Sequence, residues 1–331
     1  MTWLSTISPS DSETGARPTF APRRAFFCAS LALFFYISLL LLGLPAPAAA
    51  LDVAILKSSD IAAYNQAVAG FKAALPSGTT IVEYDMQGDI ARGRKQAQKI
   101  RASDAALVLA VGLKAALVAK LEIIDTPVIF CMVLDPAKHD LKAPNMTGIL
   151  LEVPIERQLS TLRSVLPSAR RIGVLYDPEK TAPFVEEARR RAKGLGLDLV
   201  TRPVSSEKEV PAALRALLPQ IDTLWLIPDS TVLTEDSLRF LLNTTLEASI
   251  PVLGFSPDLV KSGALIGISV NYENLGQQGG MLAKAIVSGQ GGPSLGLAQP
   301  DRLRLSLNLK TAKFLGITVP PDIINRADDV Y

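Results

Sequence analysis

The sequence predicts an α/β protein: two similar Rossmann-like lobes, each a parallel sheet with helices on both faces, joined by a multi-strand hinge. Three observations predict it. From residue 51 onward, short β-branched runs alternate with longer amphipathic ones, the pattern of successive βα units. The series occurs twice, and residues 104–136 line up with 221–258. Both read strand, polar loop, helix, then a strand opened by Pro127 or Pro251. A further helix and strand follow the two complete series, so the chain crosses back at least once more, and several linking strands make a hinge.

The elements follow in order. Residues 53–56 (VAIL) form a strand, and 61–75 a helix whose apolar positions include Ala62, Val68, Phe71 and Leu75. TTIVEY is a strand and DIARGRKQAQKIRA a helix with a basic solvent face. A strand at 105–111, a helix KAALVAKL and a strand PVIFCMV complete the first series. Residues 142–153 (KAPNMTGILLEV) read as a crossover. The second series opens on a helix at 154–166, with Pro at its first turn. It continues through strand RIGVLY, helix PFVEEARRRAKGL, strand LDLVTRPV, helix EKEVPAALRALL, strand TLWLI, helix TEDSLRFLLNTTLEAS and strand PVLGF. A helix at 275–287, the Gly-rich SGQGGPSLG, a strand at 302–309 and a closing segment KTAKFLGITVPPDIINRADDVY end the chain.

The N-terminus differs in kind. Arg23 and Arg24 precede the apolar run 25–44, and PAPAAALD follows with small residues where a signal peptidase cuts. Residues 1–50 are therefore expected to be a cleaved signal peptide; an uncleaved membrane anchor through 25–44 is the competing reading. The first lobe is expected over 51–148 with part of the 271–304 return, and the second over 149–270 with part of 305–331. The length of 331 residues suits two such units, and the 48% hydrophobic and 20% charged content is that of a globular chain. A net charge of +2 without a basic, aromatic-studded block gives no support to nucleic-acid binding. Cleavage leaves Cys131 alone, so no internal disulfide forms, and VIFCMV makes it a buried hydrophobe.

Motifs for chemistry are missing. There is no phosphate-binding loop, no dinucleotide fingerprint and no nucleophile elbow. The sole histidine, His139, sits in polar AKHDLK and reads as a surface residue; the pair Asp328-Asp329 reads as a solvated terminal turn. No cofactor or metal is expected. What remains is polar residues at strand ends, where open parallel sheets bind ligands. These are Ser58, Ser59 and Asp60; Gly112, Leu113 and Lys114; Asp135; Tyr176 and Asp177; Asp229, Ser230 and Thr231; and Phe255 with Ser256. Hydroxyls and helix-start N–H groups suit a carboxylate, and Asp suits an ammonium, so a zwitterion fits, with Tyr64, Tyr176, Phe255 and Tyr272 for stacking. Each hydroxyl or Asp equally suits a plain helix cap, Lys114 a solvent-facing position, Tyr64 and Tyr272 core packing, and the run Arg189 to Arg191 a solvated helix face.

Through RIGVLYDP, EVPAALRALLPQIDTLWLIPDSTVL, IPVLGFSPDLVKSGALIGISVNYENLGQQGG and NLKTAKFLGITVPPDIINRADDV, the chain resembles the solute-binding proteins of ABC transporters. Members of that family include tryptophan/tyrosine-binding lipoproteins. The resemblance runs over most of the chain from Val53. It implies a type I periplasmic-binding-protein fold, a non-enzymatic monomer that closes on a small-molecule solute, and delivery to an ABC permease and its ATPase from the periplasm. By matching motif it implies binding positions at Ser58-Ser59, Gly112 to Lys114, Asp135, Tyr176-Asp177, Asp229 to Thr231 and Asn271-Tyr272. VGLKAA stands where relatives have a small hydroxyl turn, and Asn271 where relatives often have Asp, which leaves the solute less defined than the fold. No lipid-modified cysteine is present, so a soluble form is expected. The alternative readings are a ligand-sensing module for a membrane signalling partner and an enzyme using carboxylates.

Overall fold

The computed structural model describes residues 51–290 and 296–331. The predicted signal or anchor segment therefore lies outside the described residues, as does part of the Gly-rich stretch.

The first sheet is parallel throughout. It holds β1 (Asp52–Lys57), β2 (Thr80–Asp85), β3 (Leu107–Val111), β4 (Val128–Cys131), β5 (Met146–Ile149) and β11 (Leu297–Ala298), in the order β11-β5-β4-β3-β1-β2. Its central strands β1, β3 and β4 read as apolar runs because both of their faces are covered, whereas the edge strand β2 is largely exposed. Val53 and Ile55 point to one face, packing with Leu109 of β3, Phe71 of α1 (Ala62–Ala74) and Leu275 of α9 (Tyr272–Val287). Ala54 and Leu56 point to the other, against α2 (Ile90–Arg101) and α3 (Leu113–Glu122).

The second sheet takes the order β13-β12-β10-β9-β8-β6-β7. Its strands are β6 (Arg171–Tyr176), β7 (Asp198–Pro203), β8 (Thr223–Trp225), β9 (Val252–Gly254), β10 (Ile266–Val270), β12 (Leu303–Leu307) and β13 (Asp329–Val330). Only the β10–β12 pairing is antiparallel. Helices α4 (Ile155–Val165), α5 (Pro178–Gly194), α10 (Leu309–Phe314) and α11 (Pro321–Arg326) cover one face; α6 (Val210–Leu217), α7 (Glu235–Glu247) and α8 (Pro257–Lys261) cover the other. The result is the predicted two-lobe α/β fold.

Three stretches run between the sheets: residues 150–154 from β5 to α4, Asn271 from β10 to α9, and 299–302 from β11 to β12. The predicted crossover 142–153 thus contains a strand, β5, whose four residues are all buried. Helix α5 starts at Pro178 rather than Pro183, because the Asp177 carboxylate caps it by accepting the Glu179 N–H and Pro178 fits the first turn. Pro183 then sits inside the helix. The Asp328-Asp329 pair is not a solvated turn: Asp329 lies in β13, bonded by Arg304 at 2.6 and 2.7 Å and by the Ser306 hydroxyl at 2.8 Å. Cys131 is 1% exposed, and burial pushes its thiol up to about 12; His139 is exposed.

Candidate ligand-binding cleft

In both sheets the strands that precede the hinge end at the same edge. There the two lobes and the crossing segments enclose a cleft of about 860 Å³. Its floor is the hinge: residues 150–154, Val270 and Gln299. One wall carries Leu134, Asp135, Lys138 and Tyr272, and the other Lys180, Thr181, Phe184, Pro228 and Phe255. The volume falls within the range of small-molecule sites.

Asp135, Phe255 and Tyr272 are the sequence candidates that line this cleft. Asp135 has φ 42° and pairs with Lys138 at 2.8 Å, which holds its carboxyl below the usual range. Its backbone N–H donates to Glu152 Oε1 at 3.2 Å, tying the loop after β4 to the hinge.

Ser58, Tyr64 and Gly112 come together at the ends of β1 and β3. The Ser58 hydroxyl oxygen accepts the Ala115 N–H at 2.9 Å, capping α3 in place of Gly112, which has no side chain. Gly112 has φ 88°, and a Cβ there would meet Tyr64 Oη at 2.6 Å and Ser58 Oγ at 2.7 Å. Only glycine fits. Burial raises the Tyr64 phenol, and the neighbouring Cys131 adds to it. Ser59 is half-buried, Leu113 packs into the first lobe's core, and Lys114 turns away to donate to the Gly88 carbonyl at 2.6 Å. Tyr176 packs on the second lobe's core, and the Asn271 side chain caps α9 by accepting the Asn274 N–H at 3.0 Å.

Asp229, 2% exposed, accepts four hydrogen bonds: from the backbone N–H groups of Asp177, Thr231 and Val232 and from the Thr181 hydroxyl. Thr231 also donates its hydroxyl to Asp177 at 2.6 Å, which holds the Asp177 carboxyl below its usual range. Lys180 Nζ crosses this group, donating to Ser230 Oγ at 2.9 Å and Thr231 Oγ1 at 2.6 Å.

Lys138, Glu152, Lys180, Phe184 and Arg191 line the cleft without having been singled out as ligand contacts. Lys180 had a signal: it lies three residues past the Asp177 cap, on the first turn at the ligand edge. Arg191 belongs to the predicted solvated face, but it bonds Glu187 and pairs with Glu156 at 2.5 Å. Among the described residues, no group of three His, Cys, Asp or Glu side chains has metal-binding geometry, and no helix is long and apolar enough to cross a membrane.

The family model described as ABC transporter substrate binding protein matches residues 52–331. The chain belongs to that family. Its members bind solutes for transporters and are not enzymes, so a small-molecule ligand and an ABC permease are the partners this membership implies. Among curated proteins, the tyrosine-binding protein of Clostridioides difficile strain R20291 is 26% identical over 237 residues, 69% of this chain and 68% of that protein. The ligand-free, open structure of a substrate-binding protein with adhesive properties from Clostridium difficile superposes with a TM-score of 0.72. It is 24% identical and covers 85% of this chain and 98% of that one. The ABC domain from Streptococcus pneumonia in complex with L-Trp gives 0.55 at 20% identity, covering 86% of this chain and 100% of that one. These neighbours share the type I periplasmic-binding-protein fold.

Proposed function

We propose that this substrate-binding protein is the periplasmic component of an ABC importer and captures an amino acid or a similar small solute between its lobes. The observation that carries the reading is the position of the cleft: its floor is the set of crossing segments, so a solute held there bears on both lobes and on the hinge. Phe184, Phe255 and Tyr272 supply apolar faces, and Lys180 supplies a cation for a solute carboxylate. Of the sequence candidates, Asp135, Phe255 and Tyr272 touch the solute, whereas Asp177, Asp229 and Thr231 hold the wall that presents Lys180 and Ser230. The names of the relatives, one tyrosine-binding and one complexed with L-Trp, support an amino acid.

A thermal-shift panel on residues 51–331 tests this, using amino acids, short peptides, nucleosides and organic acids. A solute at about a thousand times its dissociation constant adds roughly 4 kcal/mol to the native state. A shift with amino acids alone is the expected result. A shift confined to nucleosides or organic acids defeats the amino-acid assignment.

A further inference from the structure

One carboxylate in the cleft is left without a cation of its own. The acidic side chains that line it are Asp135, Glu152, Glu156 and Glu187. Glu156 and Glu187 close on Arg191, and Glu187 also takes Arg190. Asp135 takes Lys138. Glu152 makes no ion pair among the described residues; its partner is the single backbone N–H of Asp135. Lys138 does sense the Glu152 charge as well as that of Asp135. One ammonium facing two carboxylates still leaves this side of the cleft with an excess negative charge.

The other acids at the sheet edges are already committed. Asp229 is saturated by four donors, and Asp177 accepts the Thr231 hydroxyl and the Glu179 N–H, with Lys180 at 3.9 Å. Asn271, at the second crossing, is neutral and its oxygen caps α9.

We infer that Glu152 is the ammonium-recognising residue of the cleft, and that the solute is a primary amine with an apolar or aromatic body, α-amino acids included. The inference rests on the cleft being the solute site. A carboxylate pairs with an ammonium more strongly in a closing, partly dehydrated cleft than in water. The aromatic faces of Phe184, Phe255 and Tyr272 attract the same cationic group. Glu152 lies within the crossing segment 150–154, so the amine is fixed at the pivot and the rest of the solute extends between the walls.

Calorimetry on residues 51–331 tests this with L-tyrosine, L-tryptophan and their N-acetyl derivatives, which lack the ammonium. The wild type is expected to prefer the free amines by about 10- to 100-fold, the range of one charged hydrogen-bonded pair. Glu152→Gln, an exposed and nearly isosteric change, should bring that preference close to one, and Glu152→Asp should retain part of it. Glu273→Gln, which removes an exposed charge on α9 that does not line the cleft, should leave it unchanged. Free amines that bind with the same preference in Glu152→Gln overturn the assignment of Glu152 and leave the cleft reading standing. If neither free amine binds the wild type, the amino-acid reading falls and this inference falls with it.

Discussion

The carboxylate of Asp229 accepts the backbone N–H of Asp177 at 2.7 Å, so the turn after β8 fastens the turn after β6. Thr231 closes the loop from the other side, donating its hydroxyl to Asp177 and its backbone N–H to Asp229. The second-lobe wall is thus one connected polar group.

Asp229→Ala strands the donors of that group in a buried site. A loss of about 3 kcal/mol in stability is expected, the scale of buried donors stripped of a charged acceptor. Urea denaturation measures it. An unchanged midpoint together with weakened solute binding would instead make Asp229 a direct solute contact.

Helices α1 and α9 touch through glycine. A Cβ on Gly276 would lie 1.8 Å from the Ala67 carbonyl oxygen, and one on Gly70 would lie 1.9 Å from the Glu273 carbonyl oxygen. Gly276→Ala must push the helices apart and should cost about 2–4 kcal/mol. Gly279→Ala meets its neighbours only at 3.4 Å or more and should be neutral or slightly stabilising, given alanine's better helix propensity. Thermal melts of the two variants separate backbone contact from a general intolerance of α9.

Arg304 holds the Asp329 carboxyl below the usual range, with the Ser306 hydroxyl adding to the effect. A depressed folded pKa contributes stability that is complete above the unfolded value, about 3.9, and is lost as pH falls through the folded one. Asp329→Asn should therefore be destabilising near neutral pH, with the gap to wild type closing below about pH 4. Denaturation midpoints across that range check it; a gap independent of pH would assign the loss to packing.

Phe184 lines the cleft and its ring lies 5.7 Å from that of Trp225, tilted by 59°. The Trp225 indole N–H donates to Gln158 Oε1 at 3.1 Å, and Gln158 donates onward to the Val153 carbonyl of the first crossing segment. In residues 51–331 Trp225 is the sole tryptophan. Solute binding should change its emission, and Phe184→Leu should remove most of that change while binding persists. An equal change in the variant would place the signal elsewhere.

The fold was legible where periodicity was long or burial two-sided. Strand β6 was expected over its observed span, Arg171–Tyr176. Strand β5 was hidden because its four residues, MTGI, sit between Asn145 and the crossing segment that opens with Leu150, too few for a pattern and with a glycine among them. The start of α5 was missed because Pro183 looks like a boundary, although Pro178 and the Asp177 cap already supply one. The site was less legible. Asp177, Asp229 and Ser58 carry the residue types a ligand needs, but in the fold those groups bond one another or cap helices. Lys180 had only its place on the first turn after the Asp177 cap to mark it, whereas Glu152 was invisible because its value comes from what other charges leave unpaired, and pairing across α4, α5 and the β4 loop has no signature in local sequence.

The exchange of segments between lobes also bears on how the chain folds as it is made. Helix α1 is complete at Ala74, but the face that holds Ala67 and Gly70 waits for α9, which begins at Tyr272, roughly 200 residues later. The first sheet waits longer still, for β11. Newly made N-terminal residues therefore lack their final partners until nearly the whole polypeptide has emerged, and the first lobe cannot lock before the second has been synthesised.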